Sequence, residues 1–456
     1  MAEQTRVAGV TIELSGRSRR TMSQVLIVVA LAVASWLFLA ATAARHGYFD
    51  LRVYYGAINF WIRDGGQIYD YLMPHTEYGF TYPPFAAVVM SPMAFVGWHT
   101  AIGISLVLSL GSLFAVLYWL VGPIITRFGW SRWFAMAIAM ELAIVFEPTR
   151  ETLNFGQVNL LLVALVSADV LFGVRRDHRF AGVGIGLATA IKLTPGVFII
   201  YLLVTRRWKA AGVASATVAA ATWLAATVAP DASRVFWTDA GWNTGRVGST
   251  AFISNQSLNG IVSRINPVSP STSLWGALVL VAFVIWMMRV RRAVDCGDEP
   301  AALALTGIFS CLISPITWVH HLVWAIPGII LLFDNGLDAT WSRRKRRALL
   351  SWAVFGYALL CSRAVWHWEY HYDKWTIIGS NLYVYLICAV MIGLPLRRAT
   401  GAGSSVYGSG QPVVADVPDL VDLDRRVTAA FDAKDAGLPA AAEDDLVGAS
   451  RPLVGA

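Results

Sequence analysis

Apolar stretches of roughly bilayer-crossing length recur along this chain, and basic residues gather at their ends. No other feature restricts the fold as hard. In lipid every backbone N–H and C=O needs an internal partner, which leaves only helices or closed barrels as spanning structures. Eleven apolar segments can be read, at about 26–44, 101–121, 132–147, 157–174, 181–205, 210–229, 273–290, 301–316, 321–334, 347–364 and 377–395. Most come close to the ~20 residues a crossing helix needs and exceed the ~10 of a barrel strand. The expected class is an all-α polytopic membrane protein. Only 14% of residues are charged, against roughly a quarter in an average soluble domain. That excludes an ordinary soluble enzyme.

Charge then orients the segments. The clusters Arg175/Arg176/Arg179, Arg206/Arg207/Lys209, Arg289/Arg291/Arg292, Arg343 to Arg347 and Arg397/Arg398 should share the cytoplasmic side. That demand excludes Pro83 to Gly97 as a full span and makes it a re-entrant or interfacial segment. It also makes residues 181–205 a hairpin that enters and returns, broken at Lys192-Leu193-Thr194-Pro195-Gly196. Counting the hairpin twice gives about twelve transmembrane helices with both termini inside. The first segment follows Arg17, Arg19 and Arg20 and reads as an anchor, being too long for a signal-peptide core. Residues 1–22 are then a cytoplasmic N-terminus, 23–398 the transmembrane catalytic domain, and 399–456 a disordered acidic cytoplasmic tail. The net charge of +7 divides into +12 for residues 1–398 and −5 for the tail, which has four bases and nine acids. Basicity is therefore a topology signal, and no nucleic-acid partner is expected. Cys296, Cys311, Cys361 and Cys388 show no metal-ligand or CxxC spacing.

On that topology the polar motifs fall on the outer face: FDLRVYY at 49–55, YGFTYPPF at 78–85, NFGQVN at 154–159, NQSLNG at 255–260, and seven of the eight histidines. Asp50, at the membrane surface, can take a proton from a hydroxyl, or it can simply pair with Arg52. Lys192 interrupts an apolar run, and an ionisable group at that depth is costly unless it has work or a partner. Beside half-helix termini it suits a phosphate, with Arg150 and Arg246 as further anion contacts; snorkelling is the alternative. Of His320 and His321 one should face the cavity and the other pack, since neighbours on a helix project about 100° apart. Arg52, Tyr55, Tyr82, Asn154, Gln157, Asn159, Asn255, Gln256 and Asn259 offer the donor and acceptor groups that sugar recognition uses, although Asn also caps helices. Trp366, in the segment Trp366 to Asp373, can stack on a sugar face or belong to an interfacial belt.

With these motifs in order over about residues 20–395, the chain resembles the actinobacterial membrane-embedded GT-C glycosyltransferases of family 87. The resemblance implies the GT-C fold and transfer of mannose from polyprenyl-phosphate mannose to a phosphatidylinositol mannoside, or to a related mannosyl lipid, at the periplasmic face. It implies an α-(1→2) bond made with inversion, and it places the catalytic acid residue of the first outer loop at Asp50. Lys192 with His320 or His321 would then stabilise the departing polyprenyl phosphate. No DxD motif or carboxylate cluster calls for a metal, and no cofactor is expected. The rival class is a sugar or lipid transporter or flippase, which predicts repeat symmetry and polar residues on both faces.

Overall fold

A computed structural model describes residues 2–42, 46–242, 248–369 and 375–397, with side chains from Arg19 onward. The helices in chain order are α1 Ala2–Thr42, α2 Phe49–Ile62, α3 Pro84–Met90, α4 Trp98–Phe128, α5 Arg132–Val145, α6 Glu147–Phe155, α7 Asn159–Ala168, α8 Val183–Ile191, α9 Val197–Val204, α10 Trp208–Val228, α11 Pro230–Val235, α12 Leu258–Ile265, α13 Thr272–Asp295, α14 Glu299–Ile313, α15 Ile326–Leu337, α16 Arg343–Leu359, α17 Thr376–Gly379 and α18 Leu382–Gly393. Among the described residues strand pairing is limited to one isolated bridge between Leu72 and Gly79. The protein is an all-α membrane protein.

Four helices are long and apolar enough to cross a bilayer by length and composition: Arg19–Thr42, Trp98–Phe128, Trp208–Val228 and Thr272–Asp295. A fifth is possible if α6 and α7, bent by 117° at their break, count as one span. The other apolar segments fold as shorter helices. Residues 83–97, expected as re-entrant or interfacial, form α3 followed by a 3₁₀ turn at Ser91–Phe95. The hairpin break falls where Lys192 and Pro195 put it: α8 ends at Ile191, Lys192 is extended, and Thr194–Gly196 makes a 3₁₀ turn into α9.

Two packing features position the site. α14 is buried along nearly its whole length, from Glu299 to Leu312, so it is a core post around which its neighbours stand. α8 meets α10 through small residues: a Cβ on Gly182 would lie 2.2 Å from the Ala210 carbonyl oxygen, and one on Gly186 would lie 2.7 Å from that of Ala214. Without a hydrophobic driving force between helices in lipid, such close backbone approach is a main source of adhesion. The α8 start is capped by Asp169, whose carboxylate accepts the Gly182 and Ile185 N–H groups at 2.9 Å. Together these fix the start of α8, and Lys192 follows its other end.

The basic clusters collect at one end of the bundle, where buried carboxylates meet some of them. Asp334 pairs with both Arg127 and Arg397, and Glu299 pairs with Arg207. Arg291 Nε donates to the Val204 carbonyl at 2.9 Å and Arg346 Nε to that of Gly336 at 3.3 Å. α4 runs from Trp98 to Arg127 at this end, and its 31 residues span about 45 Å.

Candidate active site

At the Trp98 end, α2 enters beside α6: the Tyr48 N–H donates to the Asn154 carbonyl at 2.9 Å. α6 stops at Gly156, whose φ of +70° is the left-handed conformation that ends helices and favours glycine. The turn also has no room for a side chain, since a Cβ there would approach Leu51 Cβ to 2.6 Å. Gly156 thus lets the α6–α7 turn close on α2 and sets Gln157 against Asp50.

Gln157 Nε2 donates to Asp50 Oδ2 at 2.6 Å, and Gln157 Oε1 accepts from the Tyr82 hydroxyl at 2.5 Å. Tyr82 accepts from the Tyr54 hydroxyl at 2.9 Å and from Lys192 Nζ at 3.2 Å. Lys192 also donates to Asn159 Oδ1 at 2.9 Å and lies 3.0 Å from His321 Nε2. His321 Nδ1 accepts the Trp318 N–H at 3.2 Å, so the neutral ring carries its proton on Nε2. Burial raises the Asp50 carboxyl from 3.8 to about 6; the Gln157 hydrogen bond and the charges of Lys192 and His46 offset only part of the rise. A carboxylate poised near neutrality beside a cation fits proton abstraction next to an anion site.

The sequence model of glycosyltransferase family 87 matches residues 80–315. A polyprenol-phosphate-mannose-dependent alpha-(1-2)-phosphatidylinositol mannoside mannosyltransferase of Mycobacterium tuberculosis is 31% identical over 386 residues, covering 80% of this chain and 87% of that protein. The chain belongs to glycosyltransferase family 87. The protein of the same description from Mycolicibacterium smegmatis is 29% identical over 418 residues, 86% of this chain and 93% of its own. A polyprenol-phosphate-mannose-dependent alpha-(1-2)-phosphatidylinositol pentamannoside mannosyltransferase of M. tuberculosis is 32% identical over 328 residues, 70% of this chain and 74% of its own. No solved structure matches the chain.

Of the residues singled out in this glycosyltransferase, Asp50, Tyr82, Gln157, Asn159, Lys192 and His321 form one hydrogen-bonded network. His320 lies outside that network: it is buried, its ring lies 5.3 Å from Phe155, and its Nε2 has no hydrogen-bond partner among the described residues. Its carbonyl accepts from Thr152 at 3.0 Å and Asn159 at 3.2 Å, which pins the Val319–Ala325 segment carrying both histidines.

The other residues singled out have partners outside this network. Arg150 is buried among backbone carbonyls, with Nη2 donating to Cys361 at 3.3 Å, and makes no bond to the Lys192 network. Asn255 and Gln256 are fully buried braces: Asn255 Oδ1 accepts the Thr317 N–H at 2.8 Å, and Gln256 Nε2 donates to the Ile253 and Ser380 carbonyls. Asn259 donates to the Pro315 carbonyl at 3.0 Å. Asn255 and Asn259 thus hold the turn at residues 315–317 ahead of His321, whereas Gln256 ties its own loop to Ser380. Arg52 donates to the Gly47 carbonyl and lies over Trp98, rather than pairing with Asp50. Tyr55 donates to the Val96 carbonyl. Asn154 is half-buried and contributes its backbone. Trp366 donates to Glu147 Oε1 at 2.6 Å. Arg246 and residues 370–373 lie outside the described residues.

Sequence reasoning missed Tyr54, Glu147 and Glu151. Glu151 binds His46 Nε2 at 2.8 Å, and His46 stacks on Phe155 with ring centroids 4.0 Å apart. The available signal was two acids four residues apart between apolar segments, the spacing of one helix face.

Proposed function

We propose that this glycosyltransferase moves mannose from polyprenyl-phosphate mannose to a phosphatidylinositol mannoside, forming an α-(1→2) bond with inversion. The relatives' names supply donor and acceptor, and the observation that carries the reading is the single network joining Asp50 to Lys192. Asp50 removes the proton of the acceptor 2-hydroxyl, and that oxygen bonds to the anomeric carbon on the face opposite the phosphate. The bond from that carbon to the phosphate oxygen breaks, and polyprenyl phosphate leaves as an anion. Lys192 and His321 hold this phosphate, where donors aimed at developing charge in a dry site contribute most. The reaction needs no metal or cofactor on this reading, so EDTA leaves the rate unchanged.

The same reading takes the fold as GT-C with about twelve crossings, the basic end cytoplasmic and the Asp50 end periplasmic, and residues 399–456 as a cytoplasmic extension. Support comes from the separation of the basic clusters from the Asp50 network along the length of α4. A reporter fused at residue 400 is expected on the cytoplasmic side. The decisive experiment incubates purified protein with radiolabelled polyprenyl-phosphate mannose and a phosphatidylinositol mannoside. Transfer is expected in the wild type and a loss of about 10²–10⁴-fold in Asp50→Asn; an active Asp50→Asn protein removes the base from the mechanism.

A further inference from the structure

Both polar atoms of the Gln157 amide face protein partners. Its nitrogen is engaged by Asp50 Oδ2 and its oxygen by Tyr82. An ionised carboxylate only accepts, so the amide has one workable orientation, nitrogen toward Asp50. Tyr82 receives hydrogen bonds from Tyr54 and Lys192, which leaves its own proton for Gln157. Every bond in the chain therefore points the same way: from Lys192 and Tyr54 to Tyr82, to Gln157, to Asp50. Bonds aligned in series polarise one another and stabilise negative charge at the terminal acceptor. Among the described residues only Oδ2 of Asp50 accepts a side-chain hydrogen bond, which leaves Oδ1 to an incoming hydroxyl.

The geometry points to Gln157 as the positioning residue of the base: it fixes the Asp50 carboxylate with Oδ1 presented to the acceptor and, through Tyr82, links it to the Lys192 cation. This rests on Asp50 being the base. The groups around that carboxylate are Lys192 at the end of α8, His46 ahead of α2 with Glu151 of α6 behind it, Tyr54 on α2 and Tyr82 ahead of α3. Arg52 is turned away toward Gly47 and Trp98. None of these replaces the short Gln157 bond.

The test uses the full chain with polyprenyl-phosphate mannose and a phosphatidylinositol mannoside, measuring kcat and both KM values from about pH 5 to 8. Gln157→Met keeps the length of the side chain and removes both hydrogen bonds. It is expected to lower kcat about tenfold or more through misorientation of the base, to leave both KM values within about twofold, and to move the acidic limb to higher pH. Gln157→Glu, which places a like charge beside Asp50, moves the limb further the same way. A Gln157→Met enzyme with unaltered kcat and limb overturns the inference, as does one whose acceptor KM rises while the limb stays in place, the mark of a sugar contact. Where Gln157→Met does not fold, Tyr82→Phe breaks the chain one link earlier and should shift the limb in the same direction by less; an unmoved limb overturns the proposal equally. Asp50→Asn, assayed beside them, separates the failures: an active Asp50→Asn removes the base itself, whereas an inactive one beside a normal Gln157→Met removes only the role of Gln157.

Discussion

At the end of the bundle that carries Asp334, opposite charges touch directly: one carboxylate holds Arg127 and Arg397, and nearby Glu299 holds Arg207. At the end that carries Asp50, the carboxylate and the Lys192 ammonium communicate through two neutral side chains, Gln157 and Tyr82. Direct pairing satisfies both ions and leaves them inert. Pairing through neutral groups leaves Asp50 with one oxygen unpaired among the described residues and Lys192 beside a titratable ring, His321, so each keeps capacity for a substrate. The same residue types thus anchor the fold at one end and remain reactive at the other, and the difference lies in what is placed between them.

Three measurements can break or sharpen this contrast. Asp334→Ala takes the carboxylate from Arg127 and leaves Arg397 only Asp338 and Asn335, and removing one partner of a buried pair costs about 3–5 kcal/mol. The thermal unfolding midpoint should fall clearly while transfer per folded molecule is retained; lost turnover at unchanged stability would mean the paired end also serves catalysis. Lys192→Met should leave the fold intact and lower kcat/KM for the lipid-linked donor by about 10²–10³-fold, with Lys192→Arg recovering part of the loss. Equal activity in Lys192→Met would remove the anion site from that end.

The smallest effect is a pH dependence. With Asp50 raised to about 6, the base is protonated below that pH, so the rate should fall about tenfold per pH unit there and level off above it. Stability runs the other way. A carboxyl whose folded value exceeds its unfolded one contributes stability that is complete below about 3.8 and is lost as pH rises through about 6. Asp50→Asn should accordingly unfold at a higher temperature than the wild type at neutral pH. A lower midpoint would show that the ionised carboxylate supports the fold.

The value of Asp50 and Lys192 as candidates was legible because ionisable residues stand out against an apolar background. The break at Lys192 to Gly196 was equally visible, since Pro and Gly interrupt helices by local geometry alone. The bracing contacts of Asn255 and Gln256 were not legible for the opposite reason: amide side chains carry the same donors and acceptors whether they face a ligand or brace a loop. The segment 147–155 lies between two of the apolar stretches read from the sequence, and it folds as a buried helix whose acids bond Tyr383, Trp366 and His46, partners at least 100 residues away.

The sequence by itself determined the all-helical membrane class, the collection of basic charge at one end and the family, because hydropathy, charge and motif order are properties of the chain read in line. Tertiary structure alone decided that Gly156 brings Gln157 onto Asp50, that Tyr82 bridges to Lys192, and that His321 rather than His320 joins the cation. Those contacts join residues 75 to 129 positions apart, and hydrogen bonds act over about 3 Å, a distance that only packing of the helices can set.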